Sequence, residues 1–226
     1  MKELSNIKVI GCGGCARSGK DTFVSIATNI LTRNGYYPFR VAFADNLKQE
    51  LESVLIANNF KVSVYTNDTD IKTIVRPLMV WWGCQRRVES MDNMYWIKLA
   101  EKNIETIYDS VLYDNVDINK VVVLISDVRF SNEVSWIREM FNGEVIHIKK
   151  YKIVSDNNIF KKQYDKYPND EEKLNDPIIC DMANQKIEWE QSQQSDAIFD
   201  KNLNDIVLKT LNNTKYFKHI SNGILT

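Results

Sequence analysis

Apolar and polar positions follow two different periods along this chain, and their order predicts an α/β fold. The run IKVIGCGG is short and apolar and ends in glycines, which indicates a buried strand followed by a tight loop. Apolar residues then recur at three- and four-residue steps over 23–31, a helical pattern that Gly35 ends. FRVAFAD predicts a second strand and NLKQELESVLIANN a second helix. Strand, loop, helix and strand open a doubly wound sheet.

The middle of the chain continues this alternation. Residues 68–115 are helical and rich in aromatic side chains. KVVVLISDVRF is a continuous apolar run, which is typical of a strand at the centre of a parallel sheet. NEVSWIREMFNG predicts a helix with a glycine stop, and EVIHIKKY predicts the strand after it. We therefore expect a three-layer parallel sheet flanked by helices.

The last third has a weaker pattern. Residues 152–195 are polar with no sustained period, so we expect a lid, an insertion or disorder there. DAIFDKNLNDIVLKTLNN predicts a last short strand and a C-terminal helix. We expect one domain over residues 1–226, and we assign Trp136 and Trp189 to packing.

Composition restricts the partners. The chain has 226 residues with 29 basic and 30 acidic side chains, a net charge of -1, which argues against a general electrostatic grip on nucleic acid or membranes. No stretch approaches the ~18 apolar residues of a membrane span, and MKELSNIKVIG is too short an apolar run for a signal peptide. The four cysteines lack a secreted-domain spacing, so we expect reduced thiols in a cytoplasm, the host's if the protein is viral.

The segment GCGGCARSGKDT, residues 11–22, fits three motifs. Its C-x-x-C suggests a redox pair or half a zinc site, but no second ligand pair follows and both histidines are isolated. Its G-x-G-x-x-A fits a dinucleotide fingerprint, which needs an acidic residue about 20 positions further on. That spacing falls near Tyr36 and Tyr37, without a carboxylate. Both interpretations are weaker than the third.

The third motif is the phosphate-binding P-loop, G-x-x-x-x-G-K, running from Gly14 to Lys20 between a strand and a helix. Backbone N–H groups of such a loop and the helix N-terminus point at phosphate. The predicted ATP-binding residues are Gly14, Ser18, Gly19, Lys20, Asp21 and Thr22. Asp21 stands where Ser or Thr is usual, so Asp21 or Thr22 would hold Mg²⁺. A P-loop also expects an acid after another apolar strand, and VVVLISD ends at Asp127.

Arginines indicate where phosphate chemistry would lie, because the guanidinium binds phosphate bidentately. Five of the eight fall in the unusual segments: Arg17, Arg76, Arg86, Arg87 and Arg129. Their position beside Trp81, Trp82 and Trp96 suggests a second pocket, in which an aromatic ring stacks on a base while arginines hold its phosphate.

Six segments, in this order, resemble the bacteriophage-type deoxynucleoside monophosphate kinases: RSGKDT, FADNLK, RPLMVWWG, MYWIKLA, SDVRFSNEVSWI and GEVIHI. The resemblance covers residues 7–150 and continues faintly through DAIFDKNLNDIVLKTL. SDVRF-x-NE together with WWG is fairly specific, whereas the P-loop alone is not. The Gly-Lys-Asp variant is also similar to the animal-type phosphomevalonate kinases.

The resemblance implies phosphorylation of a deoxynucleoside monophosphate by ATP, with Mg²⁺, on a P-loop NTPase fold of the nucleoside monophosphate kinase type. It implies a helical substrate region at 68–115, with 152–195 in the place of the mobile lid. The catalytic residues would be Lys20, Arg17, Asp127 and Arg129. The monophosphate and its base would be held by Asp45, Lys48, Arg76, Trp82, Arg86 and Arg87. Small nucleotides would be the partners, and dimers occur in the family.

One departure from the family is that 152–195 contains no arginine, so Lys161, Lys162 and Lys166 would replace lid arginines, or Arg17 and Arg129 would act alone. Three alternatives stay open. The chain could be a P-loop kinase of another small phosphorylated acceptor, such as phosphomevalonate or dephospho-coenzyme A. It could also be an oxidoreductase that uses G-x-G-x-x-A, or a nucleotide-binding module without turnover. For Asp127, a cap between strand and helix is the simpler role.

Overall fold

A computed structural model describes residues 4–156, 159–191 and 197–222. The strands are β1 Lys8–Gly13, β2 Tyr37–Val41, β3 Val121–Val128, β4 Glu144–Asp156, β5 Ile159–Tyr164 and β6 Gln185–Glu190. The helices are α1 Lys20–Arg33, α2 Phe43–Ala57, α3 Thr69–Glu89, α4 Tyr95–Tyr113, α5 Ser131–Phe141, α6 Asp170–Met182 and α7 Ala197–Asn212. Short 3-10 turns cover Leu4–Asn6 and Ile118–Lys120. Among the helices described, none is long and apolar enough to cross a membrane.

Six strands of the described chain form one sheet in the order β2-β3-β1-β4-β5, with β6 paired to β4 beside this path. β1 pairs in parallel with β3 and with β4, and β6 pairs in parallel with β4. β5 runs antiparallel to the end of β4. The apolar run of β3 lies between β2 and β1, buried at all but one position, as predicted for a central strand.

Helices cover both faces of this sheet, which follows from the alternation along β1. Ile10 and Cys12 belong to a core cluster with apolar side chains of α1 and α7. Gly11 and Gly13 face the other side, where a β-carbon would meet α5 and α6 respectively. The result is a three-layer α/β fold with the P-loop sequence between β1 and α1. The predicted fold class is confirmed.

Contacts divide the chain into two compact units, residues 1–40 with 107–226, and residues 41–106. The first unit contains the sheet. The second is helical and has its own small core of Leu51, Leu55, Val64 and Val75. Its helix α3 carries WWG, and Trp96 Nε1 donates to the carbonyl oxygen of Gly83 at 3.0 Å. A β-carbon at Gly83 would lie 2.9 Å from Leu47, so this glycine lets α3 approach α2.

Two predicted boundaries are wrong. The second strand ends at Val41 and α2 already begins at Phe43, so Asp45 lies in the first turn of a helix. A short apolar run such as VAFA suits a buried strand and a buried helix equally well. Among the described residues β6 is the last strand, and α7 begins at Ala197, where the sequence predicts a strand.

Regular structure also fills most of 152–195. β4 continues to Asp156 and forms a hairpin with β5, and α6 and β6 follow. Only Trp189 is buried in β6, so its sequence lacks the apolar alternation that would have revealed it. Trp189 and Trp136 are buried, as expected of packing residues. The predictions made for 152–195 and for the last strand also include residues 157–158 and 192–196, which lie outside the described residues.

Candidate phosphate-binding site

The loop between β1 and α1 is shaped by three residues with left-handed backbone conformations. These are Gly14 with φ 135°, Arg17 with φ 65° and Gly19 with φ 94°. A β-carbon at Gly14 would overlap the Ile148 carbonyl oxygen, and one at Gly19 would overlap the Trp189 ring. The two motif glycines are therefore required by packing as well as by backbone conformation. Such a loop is the concave backbone arrangement in which N–H groups gather around an anion.

Lys20 is the first residue of α1 and is 8% exposed. Its Nζ donates to the carbonyl oxygens of Gly14 at 2.7 Å and Cys15 at 2.6 Å, so the ammonium lies over the loop. Burial lowers the pKa of Lys20, and the charge of Arg129 lowers it further, whereas Glu172 and Asp127 oppose this shift. Lys20 thus lies among the charged side chains that were predicted to act with it.

The parallel sheet brings the second predicted motif to the same edge. Gly13 at the end of β1 pairs with Val128 at the end of β3, so Asp127, the next-to-last residue of β3, and Arg129 directly after the strand lie at the edge of the sheet where the loop begins. Glu133, a buried carboxylate in the first turn of α5, caps the start of its own helix. Its Oε2 accepts from the N–H groups of Arg129 at 2.6 Å and Phe130 at 3.0 Å.

Helix α6 supplies two carboxylates that the sequence analysis did not single out. Glu172 is 7% exposed, and its Oε2 accepts from the Ala16 N–H at 2.7 Å while its Oε1 lies 3.0 Å from Arg129 Nη1. Asp176 lies 2.9 Å from His147 Nε2, with both side chains buried. The Cys15 thiol is hydrogen-bonded to the same Asp176. The first half of the loop is therefore held from one side by α6.

Strand β6 holds the second half of the loop. Trp189 Nε1 donates to the carbonyl oxygen of Ser18 at 2.9 Å, and the indole ring lies against Gly19. Ser18 is buried, and within the described part of the chain its hydroxyl oxygen has no hydrogen-bond partner. A buried hydroxyl without a partner is a group that a bound ligand can satisfy.

The cysteines of the C-x-x-C do not have the electrostatic environment of a redox pair. Burial raises the pKa of the Cys12 thiol to about 12. Burial, followed by the neighbouring carboxylate of Asp176, raises that of Cys15 to about 12 as well. Reactive thiols have lowered pKa values and an electropositive setting. Both cysteines are free thiols in the structure, and they belong to the packing of the loop.

The donors of the loop fit a nucleotide phosphate. Close approach of a phosphate to a backbone needs positions without side chains and nearby donors. The loop has both: Gly14 and Gly19 admit no side chain, and the unpartnered Ser18 hydroxyl and the Lys20 ammonium are donors. Asp21 and Thr22 are exposed in the first turn of α1, where they would hold Mg²⁺ bound with the nucleotide. Among the described residues, no cluster of three or more His, Cys, Asp or Glu forms a metal site without a nucleotide.

In the helical unit, Glu50 of α2 joins two of the predicted substrate residues. Its carboxylate accepts from Trp82 Nε1 at 3.1 Å, Arg86 Nε at 3.0 Å and the Tyr95 hydroxyl at 2.6 Å. Arg86 Nη2 also donates to the Tyr95 hydroxyl at 2.6 Å, and its guanidinium lies 4.9 Å from the centre of that ring. The arginine is thereby fixed in one orientation.

The other predicted site residues have the following places. Arg17 is exposed on the loop. Asp45 and Lys48 lie on α2, and Arg76 and Arg87 lie on α3. In β5, Lys162 is paired with Glu188 at 2.8 Å. The roles assigned to these residues stay predictions.

The residues that sequence analysis missed are carboxylates and their partners. Tyr95 lies in MYWIKLA, one of the segments that carry the family resemblance, and Glu50 follows FADNLK by two residues, but no spacing marked either of them. Glu172 lies in the polar stretch 152–195, where lysines and not acids were the expected phosphate-binding residues. The useful signal there would have been the pair of acids at 172 and 176, which share one face of a helix.

No protein-family model matches the chain, and no curated protein matches it. Among solved structures, the chain is similar to a gluconokinase from Sinorhizobium meliloti 1021. The identity is 11% and the TM-score 0.37, over 94% of this chain and 98% of the other.

Proposed function

We propose that the chain is an ATP-dependent kinase that converts deoxynucleoside monophosphates to diphosphates. The observation that supports phosphoryl transfer most directly is the position of Lys20 at the start of α1, with Asp127 and Arg129 at the same edge of the sheet. A loop that binds phosphate, a cation within it and an acid beside it are the parts that phosphoryl transfer from ATP needs.

The choice of acceptor rests on the sequence resemblance and is supported by the helical unit. WWG and SDVRF are the segments that favour a nucleotide over phosphomevalonate or dephospho-coenzyme A. Trp82 and Arg86 are held together by Glu50, which gives one aromatic ring and one fixed guanidinium in the region assigned to the monophosphate. These are the groups that would stack on a base and bind its phosphate.

In this mechanism the protein positions the reactants and offsets charge. Lys20 binds the β- and γ-phosphates of ATP, and the loop N–H groups hold them in place. Arg17 and Arg129 offset the charge that develops on the equatorial oxygens of the transferred phosphoryl group. Asp127 orients the acceptor or the water shell of the metal. Mg²⁺, held through Asp21 or Thr22, would neutralise phosphate charge when bound. No covalent intermediate on the protein is required.

The test is ADP release from Mg-ATP with a panel of deoxynucleoside and nucleoside monophosphates. We expect turnover with one or more deoxynucleotides and its loss in Lys20→Ala. Arg129→Ala should lower kcat by ~10³-fold, because it removes charge stabilisation in the transition state. Arg33→Ala is the matched control, since this arginine is exposed at the far end of α1 and should leave kcat unchanged.

Each opposite result has a distinct meaning. Absence of turnover with every nucleotide would refute the deoxynucleotide assignment, and phosphomevalonate and dephospho-coenzyme A would then be the acceptors to test. Tight ATP binding without any product would indicate a binding module. Near-normal turnover of Arg129→Ala would remove Arg129 from the reaction centre.

A further inference from the structure

One face of α6 contacts the first half of the loop between β1 and α1, with a different residue of the helix against each loop residue. Glu172, Asp176 and Ile179 are spaced four and three residues apart, which places them on the same side of the helix. Glu172 accepts from the Ala16 N–H, and Asp176 is hydrogen-bonded to the preceding loop residue, Cys15. At the far end of this face, Ile179 packs where a β-carbon on Gly13 would lie.

The partners of Glu172 are the kinds of donor that a phosphate takes. One carboxylate oxygen binds a backbone N–H of the glycine-rich loop at 2.7 Å, and the other binds the guanidinium of Arg129 at 3.0 Å. The side chain is 7% exposed, so water contributes little to the solvation of its charge. A buried carboxylate keeps its charge only with such charge-assisted hydrogen bonds.

The cations of the site are also engaged within the protein. Lys20 Nζ binds two carbonyl oxygens of its own loop, and Arg129, 42% exposed, is paired with Glu172. The negative charge of Glu172 opposes the lowering of the Lys20 pKa by burial, so the carboxylate also lies close enough to act on the lysine. An anion is thus already present among the groups proposed to bind phosphate.

We propose that Glu172 is an internal anion that competes with nucleotide phosphate for the loop and Arg129, and so sets the affinity of the site. This inference rests on the proposed function only in that the loop binds nucleotide phosphate. A phosphate that approaches Ala16 and Arg129 meets the negative charge of Glu172 and has to displace it. The first turn of α6 must then move away, whereas Asp176, paired with His147 of β4, keeps the deeper end of the helix in place.

The experiment measures binding without an acceptor, by calorimetry with ATP and separately with inorganic tripolyphosphate. We expect Glu172→Gln to lower the Kd for both ligands by about tenfold, or about 1.4 kcal/mol. Glutamine keeps the size of the side chain and removes its charge. Glu171→Gln is the matched control, because it removes the same charge one residue earlier in the same helical turn, and we expect less than a twofold change.

Glu172→Met, of similar length and without an acceptor, is the second variant, and near-UV circular dichroism checks that both variants fold. An unchanged or higher Kd in the folded variants overturns the proposal, because Glu172 would then help to hold the loop in its binding conformation. An equal gain in Glu171→Gln overturns it as well, since the effect would be general electrostatics. If neither ligand binds to the wild type or to the variants, the proposal also fails. Tight binding without turnover of any monophosphate contradicts only the proposed kinase reaction.

Discussion

The indole ring of Trp189 lies against Gly19, at the position that a β-carbon on residue 19 would take. This contact joins the last strand of the sheet to the glycine that precedes the lysine of the P-loop. The same indole donates to the carbonyl oxygen of Ser18 at 2.9 Å. The conformation of the loop therefore depends on β6, a strand that lies some 170 residues away along the chain.

Gly19→Ala should destabilise the protein and abolish ATP binding. Alanine at φ 94° carries a backbone penalty of about 1–2 kcal/mol, and its methyl group overlaps Trp189, which adds about 1–3 kcal/mol. We expect the free energy of unfolding to fall by about 2–5 kcal/mol, measured by urea denaturation. ATP binding is measured by calorimetry on the folded fraction.

Gly35→Ala separates the backbone penalty from the steric overlap in the loss of stability expected for Gly19→Ala. Gly35 also has a positive φ, 75°, but no described atom lies within 4 Å of the place its β-carbon would take. The variant should show only the backbone penalty, about 1–2 kcal/mol. A loss in Gly19→Ala no larger than in Gly35→Ala would show that Trp189 yields to the methyl group.

Glu50→Gln should weaken the acceptor site without affecting ATP. A glutamine cannot accept from Trp82, Arg86 and Tyr95 as the carboxylate does, and it lacks the charge that orients the guanidinium. If Arg86 binds the monophosphate, its KM should rise about tenfold, the loss expected of one charged hydrogen bond. Steady-state kinetics with each substrate varied in turn should leave the KM for ATP unchanged.

Glu89→Gln is the control for this result. Glu89 is paired with the same arginine, but its oxygen lies 3.7 Å from Arg86 Nη1 and its side chain is 62% exposed. Exposed pairs contribute little, so the KM for the monophosphate should change less than twofold. Equal rises in both KM values for Glu50→Gln would show that Glu50 stabilises the whole unit and has no special role at the acceptor.

Much of the fold could be predicted because its elements carry strong local signals. The first five residues of β3 are all apolar, and the loop sequence between β1 and α1 indicates where that strand ends and that helix begins. The hairpin and β6 could not be predicted in the same way, because their side chains are mostly exposed and polar. Their positions depend on pairing with β4, which is a contact between distant parts of the chain.

The site shows the same division. Lys20, Asp127 and Arg129 were predicted as site residues because phosphate binding needs particular residue types at particular ends of strands. Glu172 and Glu50 were not predicted, because each forms its hydrogen bonds with a residue that is remote in sequence. Glu172 accepts from Ala16, and Glu50 accepts from Arg86. A carboxylate on a helix has no local signature that separates it from a solvated acid.

The thiol of Cys15 should make folding stability depend on alkaline pH. Burial and the carboxylate of Asp176 raise its pKa to about 12 from 9.0. Between these values the folded protein keeps a proton that the unfolded chain has lost. The free energy of unfolding therefore falls as pH rises above 9. The slope should be smaller than the ~1.4 kcal/mol per pH unit of a full difference, because Cys15 is only partly buried.

Cys15→Ser tests this directly, because serine has no proton to lose in this range and can still donate to Asp176. Urea denaturation of both proteins at pH 8, 9 and 10 gives the stability of the wild type relative to the variant. The contributions of lysines and tyrosines to the pH dependence are the same in both proteins and cancel in the difference. The stability of the wild type relative to the variant should therefore decrease above pH 9. Cys84→Ser, at an exposed cysteine, should show no such change. A constant difference from pH 8 to pH 10 would mean that the folded thiol ionises as it does in the unfolded chain.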